Sequence, residues 1–130
     1  GADGIDTSGS QVSVRNVRLQ ALGDKGISAG ESSRLTADEV TVVGADFGIV
    51  GKDLSQVEVR TLSVSDIRIA ALAAYTKKAS YGPATVTVTG LTADGVMPDR
   101  LTLVQTGSWI DLEGERVWGS DVDIDALYRR

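Results

Sequence analysis

Apolar residues in this chain alternate with polar ones for a few positions, slip by one, and alternate again. Leu35 and Ala37 lead to Val40 and Val42, and Val57 and Val59 lead to Leu62 and Val64. A period of two marks short strands with one buried face, and the slip marks a bend that turns the chain through a corner. The pattern then recurs. A shift of 22 residues lays Gly26 on Gly48, Ile27 on Ile49, Ser33 on Ser55, Leu35 on Val57 and Val40 on Leu62. Gly4-Ile5 stands a further 22 residues before Gly26-Ile27. After a one-residue adjustment, Ser10, Val12, Val14, Val17 and Leu19 match Ser33, Leu35, Ala37, Val40 and Val42. Val86, Val88, Leu91 and Ala93 carry the same spacing once more, after a longer insertion.

Such a period predicts stacked, nearly identical units. Three short strands per unit, joined by Gly-rich or Asp/Ser-rich corners, describe one triangular turn of a parallel β-solenoid. Successive turns then pair strand over strand at about 4.8 Å. The expected fold is all-β, with about four to five coils over residues 1–98 and an irregular C-terminal hairpin or cap over 99–130 in the same domain. A leucine-rich repeat has an overlapping period, but no Asn follows Leu62-Ser63-Val64 at the ladder position, and the return segments lack helical periodicity. A β-sandwich is the remaining alternative.

The fourth unit carries extra residues. Ala70–Ala74 is expected to fill the inward strand, and Tyr75–Pro83 to bulge as a loop bearing Tyr75, Lys77, Lys78 and Tyr81. Beyond residue 98, Ile110 and Leu112 alternate ahead of a Glu113-Gly114 turn, which predicts a hairpin. Asp125 can start a short terminal helix. A solenoid must hide the open edges of its last coil, and Trp109, Trp118 and Tyr128 are the expected cover. No equivalent cap is visible at the other end, so a preceding domain, earlier coils or a partner subunit is expected there.

Composition narrows the chemistry. With 5% aromatic residues in 130, the interior must be built from Val, Ile, Leu and Ala. A net charge of −5 speaks against nucleic acid, whose phosphates demand a basic face. It equally disfavours an anionic membrane surface, and no apolar run approaches the roughly 18 residues that span a bilayer. The chain has no cysteine and no histidine. Disulfides, thiolate nucleophiles, Cys-type zinc sites and Ser-His-Asp or Cys-His catalysis are thereby excluded. The opening GADGIDTSGS lies inside the turn-rich pattern without a basic-then-apolar leader, and reads as a domain cut from something longer or as a mature product.

The G-I turns at Gly4-Ile5, Gly26-Ile27 and Gly48-Ile49, with the S-x-V-x-V-x-x-L-x-V ladders, resemble the right-handed parallel β-helix repeats of the bacterial pectin-lyase-like superfamily over roughly residues 3–96. More narrowly, DKGISAGE, GIVGKDLS and LAAYTKK look like β-helix segments of secreted or surface proteins, some of which carry a CotH-like kinase region. The resemblance implies a secreted, cell-surface or periplasmic setting. It also implies a choice among polysaccharide-active enzymes, non-enzymatic surface modules and viral adhesins, which the fold does not make.

Enzymes of that superfamily cleave acidic polysaccharides with an aspartate trio, or with calcium-binding carboxylates and an Arg or Lys base. Here stacking would bring Asp24 near Asp46 and Glu31 near Asp53, with Lys25, Lys52 and Lys77 at the same corners. A lyase would use such carboxylates for calcium and Lys52 as base, and calcium enters only under that alternative. The structural reading weighs more: Asp and Gly at corners bond their own backbone, and Lys52 between Glu31 and Asp53 makes a charge pair. Tyr75, Lys77, Lys78 and Tyr81 are the candidate ligand-binding residues of a carbohydrate-binding adhesin. No metal or cofactor is otherwise expected. The leading expectation is a non-catalytic structural or binding module that docks through its open N-terminal end, with a polysaccharide lyase or hydrolase fragment as the enzymatic alternative.

Overall fold

The alternating segments form strands that wind into a parallel β-solenoid of about 5 turns. The computed structural model describes residues 3–20 and 23–129. Among these, β1 is Ile5–Ser8, β2 Gln11–Gln20, β3 Lys25–Gly30, β4 Arg34–Lys52, β5 Gln56–Tyr75 and β6 Thr85–Asp94. A short 3-10 turn at Pro98–Arg100 precedes β7 (Thr102–Val104), β8 (Trp109–Leu112), β9 (Glu115–Trp118) and a terminal helix α1 (Ile124–Tyr128). Every pairing from β1 to β8 is parallel, and only β8 with β9 is antiparallel.

The long strands β4 and β5 each turn corners, so each of the first four coils presents three sides, and the fifth adds to the first two. The first side stacks residues 5–8, 25–30, 47–52, 70–75 and 102–104. The second stacks 11–14, 34–37, 56–59, 85–88 and 109–112, and the third stacks 16–20, 39–43, 61–65 and 90–94. The register is the one the repeat predicts: Ile5 on Ile27 on Ile49, and Val12 on Leu35 on Val57 on Val86. One irregularity lies between Ala45 and Phe47, after which Phe47 pairs with Ala70 and Ile49 with Leu72.

Inward residues of all three sides make one apolar column, including Ile27, Leu35, Val42, Ile49, Val57, Leu62, Leu72 and Val86. Burying each such side chain contributes about 1.5–3 kcal/mol. Ala70–Ala74 lies in β5, buried on both faces: Ala71, Leu72 and Ala74 point into the column, while Ala70 and Ala73 join a second cluster outside it. Small side chains are needed there because both faces are covered.

One corner repeats in detail. Glu31 and Ser32 have φ of 53° and 63°, and Asp53 and Leu54, one coil on, have 54° and 66°. Such left-handed pairs are unfavourable for non-glycine residues, and here stacked hydrogen bonds hold them. Ser10 N–H donates to Ser33 Oγ, Ser33 N–H to Ser55 Oγ, and Ala84 N–H to Ser108 Oγ. The serines of the repeat thus give backbone donors at the corner an acceptor on the next coil, which Ser33 N–H shares with the Gly30 carbonyl at 3.2 Å.

The C-terminal segment differs from expectation in where its aromatics go. The parallel ladder continues past residue 98 through β7 and β8, so the fifth coil extends into the segment expected to be a cap. The Glu113-Gly114 turn then closes the β8–β9 hairpin with φ of 50° and 86°, the left-handed pair a tight hairpin requires. Val96, Leu112 and Val117 pack against the end of the column. Trp118 is 70% exposed and covers nothing there. Tyr128 leaves the end altogether, because α1 lies along the outer face of the first side, where Ile124 and Leu127 pack with Phe47, Val50, Ala70, Ala73 and Tyr75. The helix is capped by Asp123, two residues earlier than the expected Asp125, through its carboxylate accepting from Ala126 N–H.

Candidate functional site

The docked helix converts the outer face of the first side into a lysine-rich site. Lys25 begins β3 and stacks on Phe47, which stacks on Ala70. Lys52 ends its strand and stacks on Tyr75. Its aliphatic stem passes beside Gly30 of the neighbouring coil, where a Cβ would lie 3.0 Å from Lys52 Cε. Lys77 comes from the loop after β5. All three ammonium groups converge on the ring of Tyr128, with Nζ to centroid distances of 5.3 Å for Lys25, 5.9 Å for Lys52 and 4.3 Å for Lys77. Tyr128 meets Tyr75 edge-on at 6.3 Å, and their hydroxyls are 2.6 Å apart.

Charge in this patch is unevenly matched. Lys25 Nζ bonds Asp24 at 2.7 Å. Lys52 and Lys77 have no ion pair with any described residue. Burial, then repulsion from Lys25 and Lys77, holds the Lys52 ammonium below the usual lysine range, against weaker attraction from Asp6 and Asp3. Burial pushes the Tyr128 phenol up, with the Tyr75 hydrogen bond and Lys25 acting the other way.

A neighbouring corner gathers the remaining candidates around Glu31. Its carboxylate accepts from Ser8 Oγ at 2.8 Å and from Tyr81 Oη at 3.4 Å, and pairs with Lys78 Nζ at 3.2 Å. The Ser8 hydrogen bond, then Lys78, holds Glu31 below the usual carboxylate range. Asp53 is buried one coil away, with Oδ1 accepting from the backbone N–H of Lys77 and of Lys78, each at 2.8 Å. It therefore fixes the start of the loop that carries both lysines.

Stacking does bring Asp24 to Asp46, since Asp46 N–H donates to the Asp24 carbonyl. Their carboxylates serve separate cations: Asp24 takes Lys25, and Asp46 takes Arg68. Lys52 does not make the expected pair with Glu31, because its stem runs along the outer face toward Tyr128 while Lys78 reaches Glu31 instead. Tyr75 is not presented on the loop. It is the last residue of β5 and 1% exposed, sealed by Tyr128. Among the described residues, no three acidic side chains converge to hold a metal ion.

A second surface lies on the outward face of the second side. A shallow groove is lined by Ser13, Arg15, Thr36, Asp38, Glu58 and Arg60, and it continues to Asp111 and Arg116. At that end Arg116 grips Asp111 through two bonds of 2.7 and 3.0 Å. Its guanidinium lies 4.6 Å from the Trp109 centroid and 5.4 Å from that of Trp118. Trp109 pairs with Trp118, and Asp111 with Arg116, across the hairpin. This arrangement was not anticipated from sequence, although Arg116 and Trp118 stand two apart on one strand opposite Asp111 and Trp109, which is the spacing that would have revealed it.

No protein-family model, no curated protein and no solved structure matches this chain.

Proposed function

We propose that this chain is a non-catalytic structural or binding module, a pectin-lyase-like parallel β-helix segment of an exported or cell-surface bacterial protein, that docks through the open end of its first coil. The partner is a preceding domain of the same protein or a second copy of it. One observation carries this reading. Ile5, Val12, Val14, Val17 and Leu19 occupy the apolar column but are only half-buried, whereas the residues stacked on them, including Ile27, Leu35 and Val42, have no exposure. Among the described residues the first coil thus offers both an apolar surface and strand edges with no further strand paired to them, and a continuing parallel coil would satisfy both.

Sedimentation velocity across a concentration series tests the self-docking form, with Val14→Glu as the disrupting variant. Concentration-dependent association lost in Val14→Glu supports it. Amide exchange decides the wider claim. If the chain stays monomeric and β1 and β2 exchange as slowly as β4, the first coil needs no cover and the docking reading fails.

A carbohydrate-binding role is the second reading, favoured by exposed Trp118 at the end of a groove of hydroxyls, carboxylates and arginines. Planar aromatic faces stack on sugar rings while such polar groups take their hydroxyls. Calorimetric titration with uronate oligosaccharides, compared between the parent chain and Trp118→Ala, tests it; equal heats in both would remove Trp118 from the role. The lyase or hydrolase alternative has less support, because each of Asp24, Asp46 and Glu31 is engaged with its own cation. Unsaturated product released from uronate polymers in the presence of calcium would restore it.

A further inference from the structure

The lysine patch under Tyr128 has an imbalance that neither docking through the first coil nor the groove explains. Three ammonium groups surround one phenol ring, and one of them, Lys25, is matched by a carboxylate in contact. A neutral ring attracts a cation only weakly, so it does not offset three of them. Two further acidic groups act on Lys52, Asp6, which stacks on Ser28, and Asp3, but among the described residues neither forms an ion pair with it.

The strand beneath adds an independent sign. Ser28 stacks on Val50, which belongs to the outer cluster, so Ser28 projects from the same face as the lysines, between Lys25 and Gly30. It has no solvent exposure, and its hydroxyl has no hydrogen-bond partner among the described residues. A buried hydroxyl without a partner is costly unless something supplies one. The Gly30 position, open where a Cβ would press on the Lys52 stem, is what lets that stem lie back toward Lys25.

We propose that Lys52 and Lys77, supported by Lys25 and Ser28 beside Tyr128, form a binding site for a small oxyanion: a phosphate, a sulfate or a carboxylate group of a ligand. Such a group accepts charge-assisted hydrogen bonds from the two unpaired ammonium groups and relieves their mutual repulsion. Lysine suits this role as a compact cation that does not demand one planar geometry. The site lies on the outer face of the first side, one rung from the first coil and apart from the groove, and its test reads anion binding rather than association.

The test follows lysine side-chain nitrogen and Cε signals by NMR while the whole chain is titrated separately with sodium sulfate, sodium phosphate and sodium acetate. Sodium chloride at matched ionic strength is the reference. Saturable shifts at Lys52 and Lys77, absent in chloride, are expected with at least one of the three anions. The anion that saturates identifies the source: acetate points to a carboxylate ligand, sulfate or phosphate to a monoester. Lys52→Gln is expected to weaken binding about tenfold. Gly30→Ala, which keeps every charge but displaces the Lys52 stem, is expected to weaken it by several-fold. Lys78→Gln, a lysine engaged with Glu31, should leave binding unchanged. Shifts that rise linearly and equally at all lysines, or an affinity indifferent to Lys52→Gln, overturn the site, and the circular dichroism of each variant confirms that its fold is kept.

Discussion

Ile49 stacks directly on Ile27 in the parallel ladder, 22 residues apart in the chain, and neither has any solvent exposure. Each therefore supplies part of the other's packing surface, and Leu72 supplies the next layer. Ile49→Ala is expected to lower stability by about 2–5 kcal/mol, since a cavity between two occupied layers has little room to collapse. Ile5→Ala removes the same kind of side chain from the half-buried first coil and should lower it by less than half as much. Urea unfolding of the two variants checks this. Equal losses would mean that the column does not weaken toward its open end.

Gly48→Ala should be poorly tolerated although the strand itself accepts alanine. A Cβ there would lie 2.5 Å from the Ala71 carbonyl oxygen and 3.1 Å from Val64 Cγ1. The first obstacle is backbone of the next rung, so relief requires the coils to separate. A loss of about 1–3 kcal/mol is expected from urea unfolding. Gly30→Ala meets only the flexible Lys52 stem and should stay within about 0.5 kcal/mol of the parent chain.

Lys52→Met is expected to stabilise the chain at neutral pH and low salt, by removing one of three neighbouring ammonium groups. The sign follows from its lowered folded pKa: the folded chain releases this proton before the unfolded chain does. Stability therefore rises as pH climbs from the folded value to the ordinary 10.5. The advantage of Lys52→Met should shrink over that window, and also with added salt. Tyr128 contributes the opposite slope at high pH. Its folded value is raised, so its contribution is intact below the ordinary 10.0 and is lost as pH rises through the folded value. Thermal unfolding of both chains across alkaline pH measures the difference between them.

Tyr75→Phe leaves the Tyr128 hydroxyl without its 2.6 Å partner. A stability loss of about 1 kcal/mol is expected. The same hydrogen bond holds the Tyr128 value down against burial, so Tyr128 in the variant should titrate later than in the parent chain. Tyrosinate absorbance during alkaline titration reads this directly. An earlier titration would contradict the docked position of α1.

Much of the fold was legible because a solenoid writes its contacts into a fixed offset. Ile27 and Ile49, or Leu35 and Val57, touch for the reason that they are one lap apart, and the repeat states the lap. The Glu113-Gly114 hairpin was legible for a local reason, the left-handed pair that a short turn demands. Asp24 and Asp46 also met as neighbours, but stacking alone does not say which cation each carboxylate takes. Arg68 and Lys25 divide them, and Lys78 takes Glu31 while Lys52 turns away.

The segments outside the repeat were harder because nothing periodic ties them to a place. Tyr75 reads equally well as the last residue of a strand or the first of a loop, and what decides is the ring of Tyr128, 53 residues later, closing over it. The same docking moved Tyr128 from the end of the column to its side and gathered Lys25, Lys52 and Lys77 around one ring.

By itself the sequence determined the stacked coils, the register of their rungs and the residues that fill the column, because alternation and a constant lap encode backbone pairing between neighbours. Tertiary structure alone decided where the terminal helix lies, which lysines it brings together and which cation each carboxylate takes. Those choices depend on an outer apolar face of Phe47, Val50, Ala70 and Ala73 that forms only when successive coils have already stacked.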